Sequence, residues 1–257
     1  MTRFLILGTT AIIALLALSD LARAESTSQT VEGEQLDIRT SCVKSVTIEP
    51  QAGLAGKVLV QATAASAEEL APLSFAGGET ALIERKGNCG GFNEPTLVID
   101  IKVPAGMPLD IHNGGSGDYV IGSVGGPLKA EFAGSGDLHG GDFTALQLAI
   151  SGSSDVELGK LDGPVSIDIH GSGDARIGTA MAPDLKIAIA GSGNVEIEGG
   201  EIGNLDVAIA GSGDVRLNAT AKEAALRTAG SGDIEVAHVT GNITQHSTGS
   251  GSIRING

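Results

Sequence analysis

Aspartates recur at Asp118, Asp137, Asp155, Asp174, Asp214 and Asp233, each directly after a glycine except Asp155, which follows Ser154, with Asn194 and Ser252 at the equivalent places of the same series. Carboxylates spaced this regularly could do three kinds of chemistry. Two of them at a suitable separation could form the acid and base of a glycoside-cleaving enzyme. A group of them could ligate calcium. Each could also accept hydrogen bonds from backbone amides at a bend and take part in no reaction. A second column falls two residues further on, at Glu157, Arg176, Glu196, Arg216, Glu235 and Arg254, and its signs alternate without interruption. Alternating charges on neighbouring strands stabilise by about 0.2–1 kcal/mol per pair, so this column is expected to be a structural ladder on a solvated face. Carbohydrate chemistry would draw on Asp168, Asp206 and the strip Asp155, Asp174 and Arg176. The histidines at His112, His139, His170, His238 and His246 are scattered. No metal-binding helix motif and no nucleophile elbow occurs. No catalytic, cofactor-binding or metal-binding residue is therefore assigned, and no cofactor is expected.

The positions of these side chains depend on a repeat. The glycine that opens each step stands at Gly115, Gly134, Gly152, Gly171, Gly191, Gly211, Gly230 and Gly249, at intervals of 18 to 20 residues. Before it, apolar residues recur at six, four and two places, as in Leu185, Ile187 and Ile189. After it they recur at four and six places, as in Val195 and Ile197. This alternation has the period of a half-buried strand. Each copy reads as strand, sharp corner, strand, with a third apolar point at Val124, Phe143, Leu161, Met181, Ile202 and Val239. Eight copies at a near-constant period predict a parallel β-helix of three-sided coils, about 19 residues each, stacked about 4.8 Å apart. The two 20-residue intervals are expected to bulge on the third side.

The repeat begins at 109. Residues 25–108 carry strand-like runs, "LDIRTSCVKSVTIEP", "GKVLVQATA", "TALIERKG" and "TLVIDIKVP", and a short helical turn in "SAEELAPL". They are expected to form irregular first coils and a cap continuous with the helix. Residues 1–24 read as a cleaved secretory signal, with a basic start, an apolar run from Phe4 to Leu18 and Ala22–Arg23–Ala24 before the cleavage point. No later run is long enough to span a bilayer. Cys42 and Cys89 are the only cysteines, and in an exported chain they are expected to form a disulfide.

The chain has a net charge of −15, or −16 once a leader bearing Arg3, Arg23 and Asp20 (net +1) is removed. Such a charge disfavours nucleic acid and anionic membrane surfaces as partners. Aromatic residues make up 2% of the chain and Trp is absent, which leaves few platforms for stacking sugars or bases.

The repeated "GSGD" steps and the stretch "VIDIKVPAGMPLDIHNGGSGD" at 98–118 resemble the GIN-domain family, described as autotransporter adhesin heads of exported bacterial proteins. The resemblance covers about residues 40 to 257. It implies a right-handed parallel β-helix and transfers no catalytic or binding residues. With the sequence stopping at Gly257, no membrane barrel is expected.

The expected function is that of an exported, non-catalytic β-helix with a structural, adhesive or ligand-binding role at the cell envelope, periplasmic or extracellular. Its expected partner is a glycan or another envelope component, with self-association through the C-terminal coil edge. A polysaccharide lyase or hydrolase built on the same scaffold is the alternative, and a calcium-stabilised repeat protein is the second alternative.

Overall fold

The computed structural model describes residues 24–86 and 94–257. It is a β-solenoid of about eight turns. The N-terminal part contains β1 (Glu25–Glu32), β2 (Gln35–Thr40), β3 (Ser45–Pro50), β4 (Lys57–Ala64), the one-turn helix α1 (Ala67–Leu70), β5 (Leu73–Ala76), β6 (Thr80–Arg85) and β7 (Val98–Val103). The repeat supplies β8 (Leu109–Asn113), β9 (Asp118–Ile121), β10 (Pro127–Phe132), β11 (Leu138–Gly140), β12 (Ala145–Ile150), β13 (Val156–Asp162) and β14 (Val165–Gly171). It continues through β15 (Ala175–Gly191), β16 (Val195–Ile197), β17 (Gly200–Gly211), β18 (Val215–Gly230), β19 (Ile234–Val239), β20 (Ile243–Gly249) and β21 (Ile253–Ile255).

Two long parallel faces result. The first runs β6, β2, β8, β10, β12, β14, then the second halves of β15, β17 and β18, then β20. The second runs β7, β3, β9, β11, β13, the start of β15, β16, the start of β18, β19 and β21. A shorter third side is paired where residues 160–162 meet 179–181 and Phe143 bridges to Leu161.

The first coils are not stacked in chain order. The coil of β2 and β3 lies between the later coil of β6 and β7 and the first repeat coil. Antiparallel strands then cover the exposed edges, with β5 on β6, β4 on β7 and β1 on β4. An uncovered sheet edge is a template for unwanted pairing, and these strands cover the edges of the parallel coils, leaving β1 and β5 as the outermost strands at this end. At the other end β20 pairs on one side, with β18, among the described residues, and its inward positions become Ile243, Gln245 and Ser247, all exposed.

One buried column fills the coils. Its aliphatic members sit at the alternating positions that the repeat marks as inward. Two departures have local causes. Gly140 occupies an inward site, and a Cβ there would lie 2.5 Å from Leu158 and 3.0 Å from the Phe143 ring, so the large third-side anchor takes the room. Met181, expected as the third apolar point of its coil, is half-exposed; Ala180 and Ala182 face inward instead. The coil is one residue longer, and in a strand a shift of one residue exchanges the two faces.

The corners explain the repeated glycines. In a representative coil, Gly191 has φ +150°, and a Cβ added to it would lie 2.1 Å from the Gly171 carbonyl oxygen of the preceding coil. That oxygen accepts from two donors, the Ser192 N–H at 2.9 Å and the Gly193 N–H at 3.2 Å. Such close backbone approach leaves no room for a side chain. Ser154 takes the place of the second corner glycine in its own coil. It is fully buried, and its hydroxyl has no hydrogen-bond partner among the described residues. A Cβ at Gly193 would lie 2.9 Å from the branched Cγ2 of Ile169, whereas the residue beneath Ser154 is Phe132, whose Cβ is unbranched.

Candidate functional site

The corner aspartates form a chain of hydrogen bonds parallel to the solenoid axis. Oδ1 of Asp118 accepts from the Asp137 N–H at 3.1 Å, Asp137 from Asp155 at 3.0 Å, and Asp155 from Asp174 at 3.0 Å. Asp174 accepts both the backbone N–H (2.7 Å) and the Nδ2 (2.9 Å) of Asn194. The chain continues from Asn194 to Asp214 and from Asp214 to Asp233, and ends on Ser252, which donates its N–H and hydroxyl to Asp233. Those bonds and Arg254 at 3.6 Å hold the Asp233 carboxyl below the usual carboxylate range. One oxygen of each carboxylate in this column is thus committed to the next coil. Among the described residues, no group of three or more His, Cys, Asp or Glu side chains is disposed to hold a metal ion.

The charged column runs beside it in register, with Glu157, Arg176, Glu196, Arg216, Glu235 and Arg254 on successive coils. Its contacts are discrete pairs. Arg176 meets Glu196 at 3.3 Å and Arg216 meets Glu235 at 3.4 Å, while Arg254 turns aside to Asp233. Glu157 pairs with His139 at 3.4 Å, so the histidine heads the column one coil earlier than the acidic and basic residues suggest. The Glu235 carboxyl is held low by the Asn256 side-chain amide and then by Arg216.

The remaining acid and base candidates are dispersed. Asp168 and Asp206 lie on the outside of the first face, away from Asp155, Asp174 and Arg176 at the corner and the second face. Asp206 is paired with Arg227 at 2.9 Å, and Asp168 lies 3.5 Å from the Ser166 hydroxyl. His112 joins a four-membered cluster, 3.0 Å from both Asp110 and Glu131; Lys129 also meets both acids, at 3.3 and 3.0 Å. The Lys129 ammonium lowers the Glu131 carboxyl and is itself raised by it. Cys42 is buried, and its expected partner Cys89 lies outside the described residues.

A third feature has no counterpart in the motifs. Where each coil enters the first face, a groove of about 590 Å³ crosses the coils from Gln35 to Asp206. One wall is the corner column, apolar at Pro108, Pro127, Ala145 and Pro164 and polar beyond them at Gln35 on one side and Asp184 and Asn204 on the other. The other is the first outward column of that face, including Lys129, Gln147, Ser166 and Lys186. Edges of Leu109, Leu128, Leu146 and Val165 reach the floor. Its signal in the sequence is proline seven residues before the corner glycine in three coils, at positions that are neither inward nor charged. Prolines have no N–H, and the strand amides between them are bonded to the adjoining coils, as in Leu146 N–H to Pro164 O at 3.0 Å.

The sequence matches the family described as "Putative auto-transporter adhesin, head GIN domain" over residues 19–198 and again over 162–257. The chain belongs to this family. Solved structures share the GIN-domain fold. A "putative adhesin" from Parabacteroides distasonis is 18% identical with a TM-score of 0.62, covering 91% of this chain and 98% of that one. A "putative adhesin" from Bacteroides fragilis is 17% identical with a TM-score of 0.56, covering 93% and 100%. A "putative lipid binding protein" from Parabacteroides distasonis is 19% identical with a TM-score of 0.50, covering 90% and 96%. Against curated proteins the sequence finds no match. At these identities the GIN-domain neighbours speak for the fold of the coils and not for any one of the three surfaces. No helix among the described residues of this GIN-domain chain is long and apolar enough to cross a membrane.

Proposed function

We propose that this GIN-domain chain is an exported, non-catalytic binding protein of the cell envelope, and that the groove on its first face receives an extended ligand. The observation that carries this reading is the continuity of the groove across successive coils, with one wall apolar from Pro108 to Pro164 and the other of polar side chains. Ligand sites are concave and mostly apolar with a few convergent polar groups, and this groove has that composition. Export is supported by the leader-like residues 1–24, and binding by the descriptions of the solved relatives as adhesins or a lipid-binding protein. The aspartate column and the Glu/Arg column are read as structural, because their members bond to one another and to corner amides. The test is sedimentation of the purified chain with isolated envelope fractions, comparing the native sequence with Ala145→Trp, which fills the middle of the groove between Pro127 and Pro164. The native chain should co-sediment and the folded variant should not. Equal co-sedimentation of both would overturn the assignment to the groove.

A further inference from the structure

We infer that the ligand of this groove is a long-chain anionic amphiphile of the fatty-acid type, its hydrocarbon chain along the proline wall and its head group at Lys186. This rests on the groove being a binding site and narrows what it binds. Three observations favour hydrocarbon over the other extended ligands, a glycan or a peptide. First, the floor offers few hydrogen-bond donors, since three corner residues are prolines and the neighbouring amides are bonded between coils. A glycan or peptide buried there would leave polar groups unmatched, which is costly, whereas a hydrocarbon chain has none to match. Second, no aromatic side chain lines the groove on which a sugar could stack. Third, the length suits an acyl chain. The apolar stretch of the wall, from Pro108 to Pro164, crosses four stacked coils, or about 14 Å at about 4.8 Å per step. A single acyl chain covers about half of a bilayer's hydrocarbon thickness of about 30 Å, so its length matches this apolar stretch.

The charges along the lips indicate where the head group lies. Lys129 is occupied by Asp110 and Glu131, Asp206 by Arg227, and Asp184 by the Asn204 side-chain amide at 2.8 Å. Lys186, exposed at the β17 end of the groove, makes no hydrogen bond or ion pair among the described residues. It is the lining cation available to a carboxylate. In a chain of net charge −15, distant charges repel an anion, so the head group needs this local contact while the apolar chain supplies most of the affinity.

The experiment is calorimetric titration of the full chain with palmitate and with hexadecanol, each below its aggregation limit. Both should bind, and palmitate should lose roughly two- to fivefold in affinity in Lys186→Ala, the range of an exposed ion pair, with hexadecanol unchanged. Ala145→Trp, and Gln147→Trp from the opposite lip as a surface variant that should leave the core intact, should abolish binding of both ligands while keeping native circular dichroism. Failure of palmitate and hexadecanol to bind the folded native chain would overturn the amphiphile assignment. If Ala145→Trp still abolished co-sedimentation with envelope fractions, the groove would remain a binding site for some other ligand. Binding of palmitate unaffected by both Trp variants would place it elsewhere and overturn this inference. An equal loss for palmitate and hexadecanol in Lys186→Ala would remove Lys186 as the head-group site.

Discussion

At one corner position, two residues give predictions of opposite sign. Gly193→Ala places a Cβ 2.2 Å from the Gly173 carbonyl oxygen and 2.9 Å from Ile169, and should cost about 3 kcal/mol or more. Ser154→Ala, at the equivalent place three residues after Ser151, removes a buried hydroxyl that lacks a partner and should stabilise by about 1 kcal/mol. Urea unfolding of both variants checks the pair, and the same sign for both would contradict this view of the corner. The corner carboxylates were legible as a column because each stands three residues after the glycine that opens its step. Their acceptance of the next coil's amide depends on side-chain direction, which spacing does not encode. With one oxygen of each bound in that way, the column should need no cation. The melting temperature in EDTA and in millimolar calcium, at matched ionic strength, is expected to be nearly equal. A calcium-specific rise absent in a variant with Asp155→Asn and Asp174→Asn would contradict this.

Between coils, the alternation of signs made the register of the charged column readable, since equivalent positions of a parallel stack are neighbours. It did not show that the contacts fall into separate pairs or that His139 begins them, because long side chains choose among several rotamers. The last coils also carry a pH dependence. Asp233 and Glu235 have folded-state values below those of an unfolded chain. The unfolded chain then binds more protons in that window, so stability is present above the unfolded values, about 4, and is lost as pH falls through the lowered ones. Melting temperature should decline between about pH 5 and pH 3, and less steeply in Glu235→Gln. In the cap, the order of coils was not legible, because β2 pairs with β6 and β8 across long stretches of chain, and local pattern records no such pairing. A bridge between Cys42 and Cys89 remains our proposal for what ties this cap, and non-reduced peptide mass spectrometry should find the two cysteines linked rather than as free thiols.

For the molecule as a whole, a constant period was enough to read the stack, and the inward columns were enough to read most of its core. The groove was not readable in this way. It arises where the coils turn, from a proline column that is neither inward nor charged and whose significance appears only once the coils are laid side by side. The resulting surface has two sides of different character, a groove on the first face and a self-satisfied ladder of charges at the corner and second face. Which of them carries the proposed contact with the envelope is the central question. Single cysteines at Ser166→Cys on the groove lip and Ser192→Cys at an exposed corner allow it to be asked directly, by measuring maleimide labelling rates with and without isolated envelope fractions. The expected result is slowed labelling at position 166 and an unchanged rate at position 192; slowing at 192 with none at 166 would contradict the account.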